Sequence, residues 1–173
     1  SYQEIIFEAV GFKYHHEPYQ LGVEQEEDDY AANVLKQAGV RDNSLLIGIC
    51  PGAGPLFANK GWTVEGYAAL IDSLNRIEGV QVVLLGGQAE IDKNAKIKSL
   101  VRTNLLDAQN HHSVLRFSAI INKCDFIICG DTLPMHLAIG HGKHVLVLMG
   151  PTCPQEIELY DRGEIIMSSI ECA

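Results

Sequence analysis

Basic residues are scarce in this sequence, and so are several features that mark particular classes of protein. Its 173 residues include 13 Lys and Arg against 22 Asp and Glu, which gives a formal net charge of −9. Proteins that bind a phosphate backbone need clustered Lys and Arg, so we expect no nucleic-acid partner. No apolar run approaches the roughly 20 residues that cross a bilayer. Apolar residues, at 47%, still suffice for a globular core.

Cysteines are few, and none forms a Cys-x-x-Cys pair. They are Cys50, Cys124, Cys129, Cys153 and Cys172. Three of them lie in or beside apolar runs that are typical of buried strands. We therefore expect core thiols in a reducing cytoplasm rather than disulfides.

A metal site is not expected either. His136, His141 and His144 are close in sequence, but they span the end of a predicted helix and the start of a predicted strand. Side chains in that arrangement do not share a face, as a tetrahedral metal site would require. We therefore predict no metal and no other cofactor.

Apolar runs alternate with amphipathic segments from residue 45 onward. The runs predict buried strands at residues 45–50, 80–85, 104–108, 125–129, 144–149 and 164–167. The amphipathic segments predict helices at residues 64–77, 90–101, 113–122 and 134–140. Thr63 and Ser113 stand where the first and third of these helices need a capping side chain. This alternation predicts βαβ units and an α/β fold, a three-layer, Rossmann-like parallel sheet with helices on both faces.

The first forty residues have a different pattern. Residues 2–11 and 28–38 have helical patterns, and the stretch between them is polar with an acidic run at residues 24–29. We interpret residues 1–40 as a connecting helical segment packed against the sheet, with the acidic run solvated, and residues 41–173 as the Rossmann-like domain. The ends of the sequence lack a clear terminal element, so we expect the domain to belong to a longer chain.

Four segments that follow predicted strands are rich in Gly, Pro and other small residues. They are residues 51–62, 86–90, 130–136 and 150–154. In an open parallel sheet the ligand binds beyond the carboxyl ends of the strands, where such segments meet. Small residues also let a ligand approach the backbone closely. We therefore expect the binding site at this edge of the sheet.

The turn at residues 130–136 is the most informative of the four segments. A helix that begins near Thr132 presents unpaired backbone N–H groups and the positive end of its dipole, which favours an anion such as phosphate. Thr132 can cap the helix or hydrogen-bond a phosphate oxygen, and Asp131 suits sugar hydroxyls. The alternative is that Asp131 and Thr132 only cap the helix and that His136 is a packed helix residue.

The loops after the first and second strands give weaker signals. Gly52 and Ala53 lie in a small-residue loop whose spacing fits neither the dinucleotide fingerprint nor the P-loop. Lys60 precedes a capped helix, where its ammonium could reach a diphosphate; an exposed surface lysine is the alternative. Glu90, just beyond Gly87, suits either the ribose hydroxyls of a nucleotide or the dipole of its own helix.

Taken together, these segments resemble the pattern of glycosyltransferase family 9, the heptosyltransferases of lipopolysaccharide core assembly. The order and spacing agree across residues 45–154, about two-thirds of the chain. The matching segments are Pro51-Gly52-Ala53, Lys60-Gly61-Trp62, Leu84-Leu85-Gly86-Gly87, Asp131-Thr132-Leu133-Pro134-Met135-His136-Leu137-Ala138 and Gly150-Pro151-Thr152-Cys153-Pro154. The combination is specific, although no single segment is.

The resemblance implies the C-terminal, donor-binding half of a two-domain GT-B glycosyltransferase. It implies a nucleotide-sugar ligand, typically ADP-heptose, whose diphosphate and sugar contact Lys60 and the turn at Asp131. On this basis the expected substrate-binding residues are Gly52, Ala53, Lys60, Gly87, Glu90, Asp131, Thr132, Leu133, Met135 and His136. Leu133 replaces the Gly usual in this turn; a backbone N–H remains, but the side chain would narrow the pocket.

The reaction that the resemblance implies is an inverting single displacement without a metal. Negative charge develops on the departing diphosphate, and helix amides together with a lysine stabilise it. The general base and the acceptor, a glycolipid or other glycan, would be bound by the N-terminal domain, so the isolated domain should be inactive. The full enzyme is expected in the cytoplasm or peripherally at the inner membrane face. Two alternatives stay open: a non-catalytic nucleotide-binding module, and a sugar-nucleotide epimerase-like domain.

Overall fold

The computed structural model of the protein describes residues 2–52, 61–150 and 153–167. Within these residues the strands are β1 (Leu45–Cys50), β2 (Val80–Leu84), β3 (Leu106–Asp107), β4 (Phe126–Cys129), β5 (His144–Met149) and β6 (Gly163–Met167). The α-helices are α1 (Tyr2–Ala9), α2 (Gln25–Ala38), α3 (Val64–Leu74), α4 (Ile91–Leu100), α5 (Val114–Lys123) and α6 (Leu133–Gly140). Short 3-10 turns cover Gln88–Glu90 and Pro154–Glu156.

The strands form one sheet with the order β3-β2-β1-β4-β5-β6. Every neighbouring pair is parallel, so the predicted α/β fold with a parallel sheet is confirmed. The third strand is shorter than the predicted residues 104–108, because only Leu106 and Asp107 pair with β2. The carbonyl of Asn104 accepts a hydrogen bond from the Asn75 side chain at 2.8 Å instead of joining the sheet.

Alternate side chains of the strands form two cores, one on each face of the sheet. In β1, Ile47 and Ile49 pack on the face covered by α3 and α4, with Tyr67, Ile71 and Ile97. The core on the opposite face contains residues of β1, α2, α5 and α6, among them Leu46, Leu35, Ile120 and Leu137. Burial on both faces explains why these strands are continuous apolar runs, and it gives the predicted three layers.

The two predicted helix caps are present. The Thr63 hydroxyl accepts a hydrogen bond from the Gly66 N–H at 3.0 Å, and the Ser113 hydroxyl accepts one from the Arg116 N–H at 3.3 Å. Each cap satisfies a donor that a helix leaves unpaired in its first turn, which stabilises the helix by about 1 kcal/mol.

The segment before α2 lies along α6. The Tyr19 hydroxyl donates to the His136 carbonyl at 3.0 Å, and the Leu21 N–H donates to the Gly140 carbonyl at 2.8 Å. α2 packs against α5, where the Lys123 ammonium donates to Asp28 at 2.7 Å. Arg116 Nη2 also lies 3.5 Å from Glu26 Oε1, so two acids of the acidic run, predicted to be solvated, are paired. The division of the chain at residue 40 stays a prediction.

Three cysteines are buried free thiols: Cys50, Cys124 and Cys129. Burial raises the pKa of each thiol, that of Cys124 to about 12. The prediction of core thiols is confirmed for these three, whereas Cys153 is exposed. Across the described ranges, no helix combines the length and apolar character needed to cross a bilayer.

Candidate functional site

The strand order reverses between β1 and β4, which opens a crevice between them at the carboxyl edge of the sheet. Cys50 at the end of β1 pairs with Cys129 at the end of β4. The chain therefore leaves both strands at the same level, at Pro51 and Gly130. In open α/β sheets this topological switch point is where ligands bind.

The turn after β2 lies beside the end of β1. The Leu85 N–H donates to the Ile49 carbonyl at 2.9 Å, which holds the two strand ends together. Two buried amides then fix the turn: Asn94 Nδ2 donates to the Leu85 carbonyl at 3.3 Å, and Asn110 Nδ2 donates to the Gly87 carbonyl at 3.0 Å. The sequence patterns did not single out either asparagine, because their partners come from other segments of the chain.

Glu90 stands over Gly52 at this edge. Its Oε2 accepts a hydrogen bond from the Gly87 N–H at 2.9 Å, which closes the turn after β2. Its Oε1 would lie 2.5 Å from a Cβ at residue 52, so the glycine leaves the room that this carboxylate occupies. The structure thus brings three predicted site residues, Gly52, Gly87 and Glu90, together in one wall of the crevice.

The start of α6 forms the opposite wall. Thr132 precedes the helix, but its hydroxyl donates to the Gly130 carbonyl at 3.3 Å and does not cap the first turn. The alternative in which Thr132 acts as a side-chain cap is therefore wrong. The N–H of Leu133, the first helical residue, is one that a helix ordinarily leaves unpaired. The positive end of the helix dipole thus has no cap from this threonine, and it suits an anion.

The other residues of this turn differ in accessibility. The Leu133 side chain is 50% exposed, so it stands at the surface of the edge. His136 is also exposed, unlike a packed helix residue, and Asp131 is half-buried. Met135 is fully buried, so its side chain supports the turn from the core and does not reach the crevice.

Some predicted residues cannot be located in this way. Ala53 and Lys60 lie outside the described residues, as do Pro151 and Thr152 of the segment after β5. For the described parts of the four segments, convergence at the carboxyl edge of the sheet is confirmed. Within those same described ranges, no group of three or more His, Cys, Asp or Glu side chains could hold a metal ion.

Lys93, in the first turn of α4, is a residue of this edge that the sequence patterns did not identify. Its Nζ donates to the Pro51 carbonyl at 2.8 Å and to the Trp62 carbonyl at 3.1 Å. Burial lowers the pKa of Lys93, and the nearby Glu90 carboxylate acts in the opposite direction. A cation in the first turn of a helix opposes the helix dipole. This unfavourable placement is the sequence feature from which Lys93 could have been identified.

The edge therefore combines backbone amides at a helix start, a carboxylate over a small-residue loop and a half-buried ammonium. Amides at a helix start suit phosphate, and a carboxylate oxygen suits hydroxyl donors. This combination fits a ligand that carries both phosphate and hydroxyl groups.

Comparison with known proteins shows which family this chain resembles. The family model described as glycosyltransferase family 9 (heptosyltransferase) matches residues 1–173. Lipopolysaccharide heptosyltransferase 2 of Escherichia coli K12 is 31% identical over 145 residues, which are 78% of this chain and 38% of that protein. The chain thus spans well under half the length of this curated relative.

Solved structures extend the similarity to the fold. A glycosyltransferase of family 9 from Veillonella parvula superposes with a TM-score of 0.74 at 24% identity, over 88% of this chain and 44% of that one. The E. coli ADP-heptose LPS heptosyltransferase II gives a TM-score of 0.72 at 26% identity, over 85% of this chain and 44% of that one. Because the Veillonella parvula protein is only 24% identical to this chain, its similarity shows the fold alone.

Proposed function

Because the chain belongs to glycosyltransferase family 9, we propose that it is the C-terminal, donor-binding half of an inverting heptosyltransferase-like enzyme. Its ligand is a nucleotide sugar, ADP-heptose, bound at the carboxyl edge of the sheet. The observation that carries the proposal is that Glu90 lies over Gly52 at the exit of β1, while α6 begins after the neighbouring strand β4, so that both stand at the switch point. The similar E. coli protein is an ADP-heptose LPS heptosyltransferase, which supports the choice of donor.

The donor's diphosphate lies against the start of α6 in this proposal. The Leu133 N–H and the helix dipole favour its negative charge. The Thr132 hydroxyl, which now donates to the Gly130 carbonyl at 3.3 Å, can turn to a phosphate oxygen. Lys60 adds a positive charge from the loop after β1. Fixed amides and an ammonium stabilise the charge that develops on the departing diphosphate, without a metal.

Glu90 is the group proposed for the ribose. Its Oε2 is engaged by the Gly87 N–H, and its Oε1, on the Gly52 side, accepts from a ribose hydroxyl. Acids that follow the second strand have this role in related open sheets. Gly52 and Ala53 allow the donor to approach the backbone closely.

The sugar is proposed to lie near the turn before α6. Asp131 accepts from its hydroxyls, and the exposed side chains of Leu133 and His136 border it. Met135 has no contact with the ligand in this proposal, because it is buried and only supports the turn.

The acceptor side is proposed to lie in the rest of a longer enzyme, since the chain spans 38% of its curated relative. That part would contribute the general base and bind a glycolipid or glycan of lipopolysaccharide synthesis. The full enzyme would act in the cytoplasm or at the inner membrane face. The present chain is expected to bind the donor without transferring the sugar.

Calorimetry with ADP tests the proposal. The wild-type chain should bind ADP, and Lys60→Ala should weaken binding about tenfold because a charge-assisted contact is lost. Lys96→Ala removes the same charge from an exposed position and should have no effect. Absence of ADP binding by the wild type, both in this chain and in a longer one, would contradict the proposal.

A transfer assay separates the enzyme from a non-catalytic nucleotide-binding module. The longer enzyme, supplied with ADP-heptose and a lipopolysaccharide acceptor, should release ADP and extend the acceptor. Donor binding without any transfer would favour the non-catalytic module.

A further inference from the structure

Lys93 joins the two ends of the connection between β1 and α3. Its Nζ donates to the carbonyl of Pro51, the residue after β1, at 2.8 Å and to the carbonyl of Trp62 at 3.1 Å. Trp62 directly precedes Thr63, whose hydroxyl caps α3. One ammonium therefore fixes both the point where the connection leaves the sheet and the point where it enters the helix.

The ammonium lies in an aromatic environment that also holds Trp62. Nζ is 5.2 Å from the centre of the Tyr67 ring, and the Trp62 ring meets Tyr67 edge-on at 5.3 Å. Gly66 lies against the indole, since a Cβ there would be 2.6 Å from it. Tyr67 belongs to α3 and is buried in the core between this helix and the sheet. The ammonium and the indole therefore pack against one fixed ring.

The position of Lys93 is unfavourable without these contacts. It lies in the first turn of α4, where a cation opposes the helix dipole, and burial lowers its pKa. Two carbonyl acceptors and an aromatic face offset both effects. The lysine is therefore more than a solvated surface charge.

We propose that Lys93 is a positioning residue for the donor's diphosphate, acting by holding Pro51 and Trp62 at the crevice. This inference rests on the proposed function, because the connection after β1 borders the ligand only if the nucleotide binds at the switch point. Lys93 does not itself contact the ligand, since the two carbonyls and the Tyr67 ring engage its ammonium. Pro51 leaves β1 level with Gly130, at the turn where the diphosphate is proposed to lie, whereas Glu90, proposed for the ribose, is held by the Gly87 N–H. Loss of the clamp therefore weakens the phosphate contacts more than the nucleoside contacts.

The test measures the binding of ADP and of adenosine to the wild type and to Lys93→Met. The dissociation constant for ADP should rise about tenfold, and that for adenosine, followed by ligand-observed NMR, should change less than about twofold. Lys93→Arg keeps the charge and has enough N–H donors for both carbonyls, so it should recover part of the ADP affinity. Lys96→Met, one turn further along α4 at an exposed position, is the matched control and should bind like the wild type.

Equal ADP affinity of the wild type and Lys93→Met would overturn the inference. Parallel losses for ADP and adenosine would overturn it as well, because they would indicate a general structural role. If thermal unfolding shows that Lys93→Met does not fold, Lys93→Gln, which has two N–H donors but no charge, takes its place and the same ratio of affinities decides. A wild-type protein that binds no ADP would overturn the proposed function instead, so the two failures are distinguishable.

Discussion

Glu90 contacts Gly52 across the carboxyl edge of the sheet, and a Cβ at residue 52 would lie 2.5 Å from Glu90 Oε1. The contact joins the turn after β2 to the exit of β1, two segments that are distant in sequence. Because Oε2 of the same carboxylate holds the Gly87 N–H at 2.9 Å, a displaced Glu90 would disturb both segments at once.

Gly52→Ala should displace the Glu90 carboxylate and weaken ADP binding. Forcing a side chain off its preferred rotamer costs about 1 kcal/mol, which corresponds to a roughly fivefold loss of affinity. Calorimetry with ADP measures the effect. Gly22→Ala is the control, because a Cβ at Gly22 meets nothing within 4 Å. Unchanged ADP affinity of Gly52→Ala would show that the nucleotide does not depend on this contact.

Glu90→Gln should reduce the preference for a nucleotide that has ribose hydroxyls. The amide oxygen can still accept from the Gly87 N–H, but an NH₂ group then replaces the acceptor on the Gly52 side. The wild type should bind ADP about tenfold more tightly than 2′,3′-dideoxy-ADP, and the variant should lose most of this preference. The ratio of the two dissociation constants is the measurement. A wild type that binds both nucleotides equally would remove Glu90 from the proposed site.

Leu133→Ala should favour the sugar nucleotide over the free nucleotide. The Leu133 side chain is 50% exposed at the start of α6, so shortening it enlarges the space beside the turn without opening the core. We expect unchanged ADP affinity and a rise of about threefold in the affinity for ADP-heptose relative to ADP. Competition between the two ligands measures this ratio. Leu115→Ala, at an exposed position in the first turn of α5, is the matched control, and an unchanged ratio in both variants would argue against a pocket limited by Leu133.

His141→Gln should make the protein less sensitive to acid. Burial, and then the positive charge of Lys143, lowers the pKa of His141, whose Nε2 lies 2.8 Å from the Ser118 hydroxyl. The unfolded chain therefore takes up this proton at a higher pH than the folded protein does. The stability contribution is fully present above the unfolded pKa of about 6.5 and is lost as pH falls toward the lower folded value.

Urea unfolding at pH 7, 6 and 5 measures this effect. The free energy of unfolding of the wild type should fall across this range, and that of His141→Gln should fall less, because glutamine keeps a partner for Ser118 but does not titrate. Parallel curves for the two proteins would show that His141 is not responsible for the acid dependence.

Local features of the fold were predictable because neighbouring residues decide them. Thr63 and Ser113 cap the helices that the patterns predict, since a cap needs only a side chain and the N–H group three residues on. Thr132 shows the limit of this reasoning. It has the right residue type and position for a cap, but its hydroxyl bonds the Gly130 carbonyl instead.

The candidate site was predictable as a region but not as a set of contacts. Small residues after each strand indicate the carboxyl edge of a parallel sheet, and the register of Cys50 with Cys129 brings two of those segments together. The patterns did not show that Met135 is buried, because His136 is the only polar side chain of α6 and apolar residues therefore do not mark a single core-facing side.

The alternation of strands and helices, the parallel sheet and the glycine-rich edge were predictable, because they depend on periodicity and on residues close along the chain. The folded chain was needed to show that Glu90 lies over Gly52 and that Lys93 joins Pro51 to Trp62. Those contacts depend on strand order and on which helix covers which face, and pairs so far apart in sequence leave no periodic signal. The residues that meet in the crevice are therefore set by how the sheet is assembled.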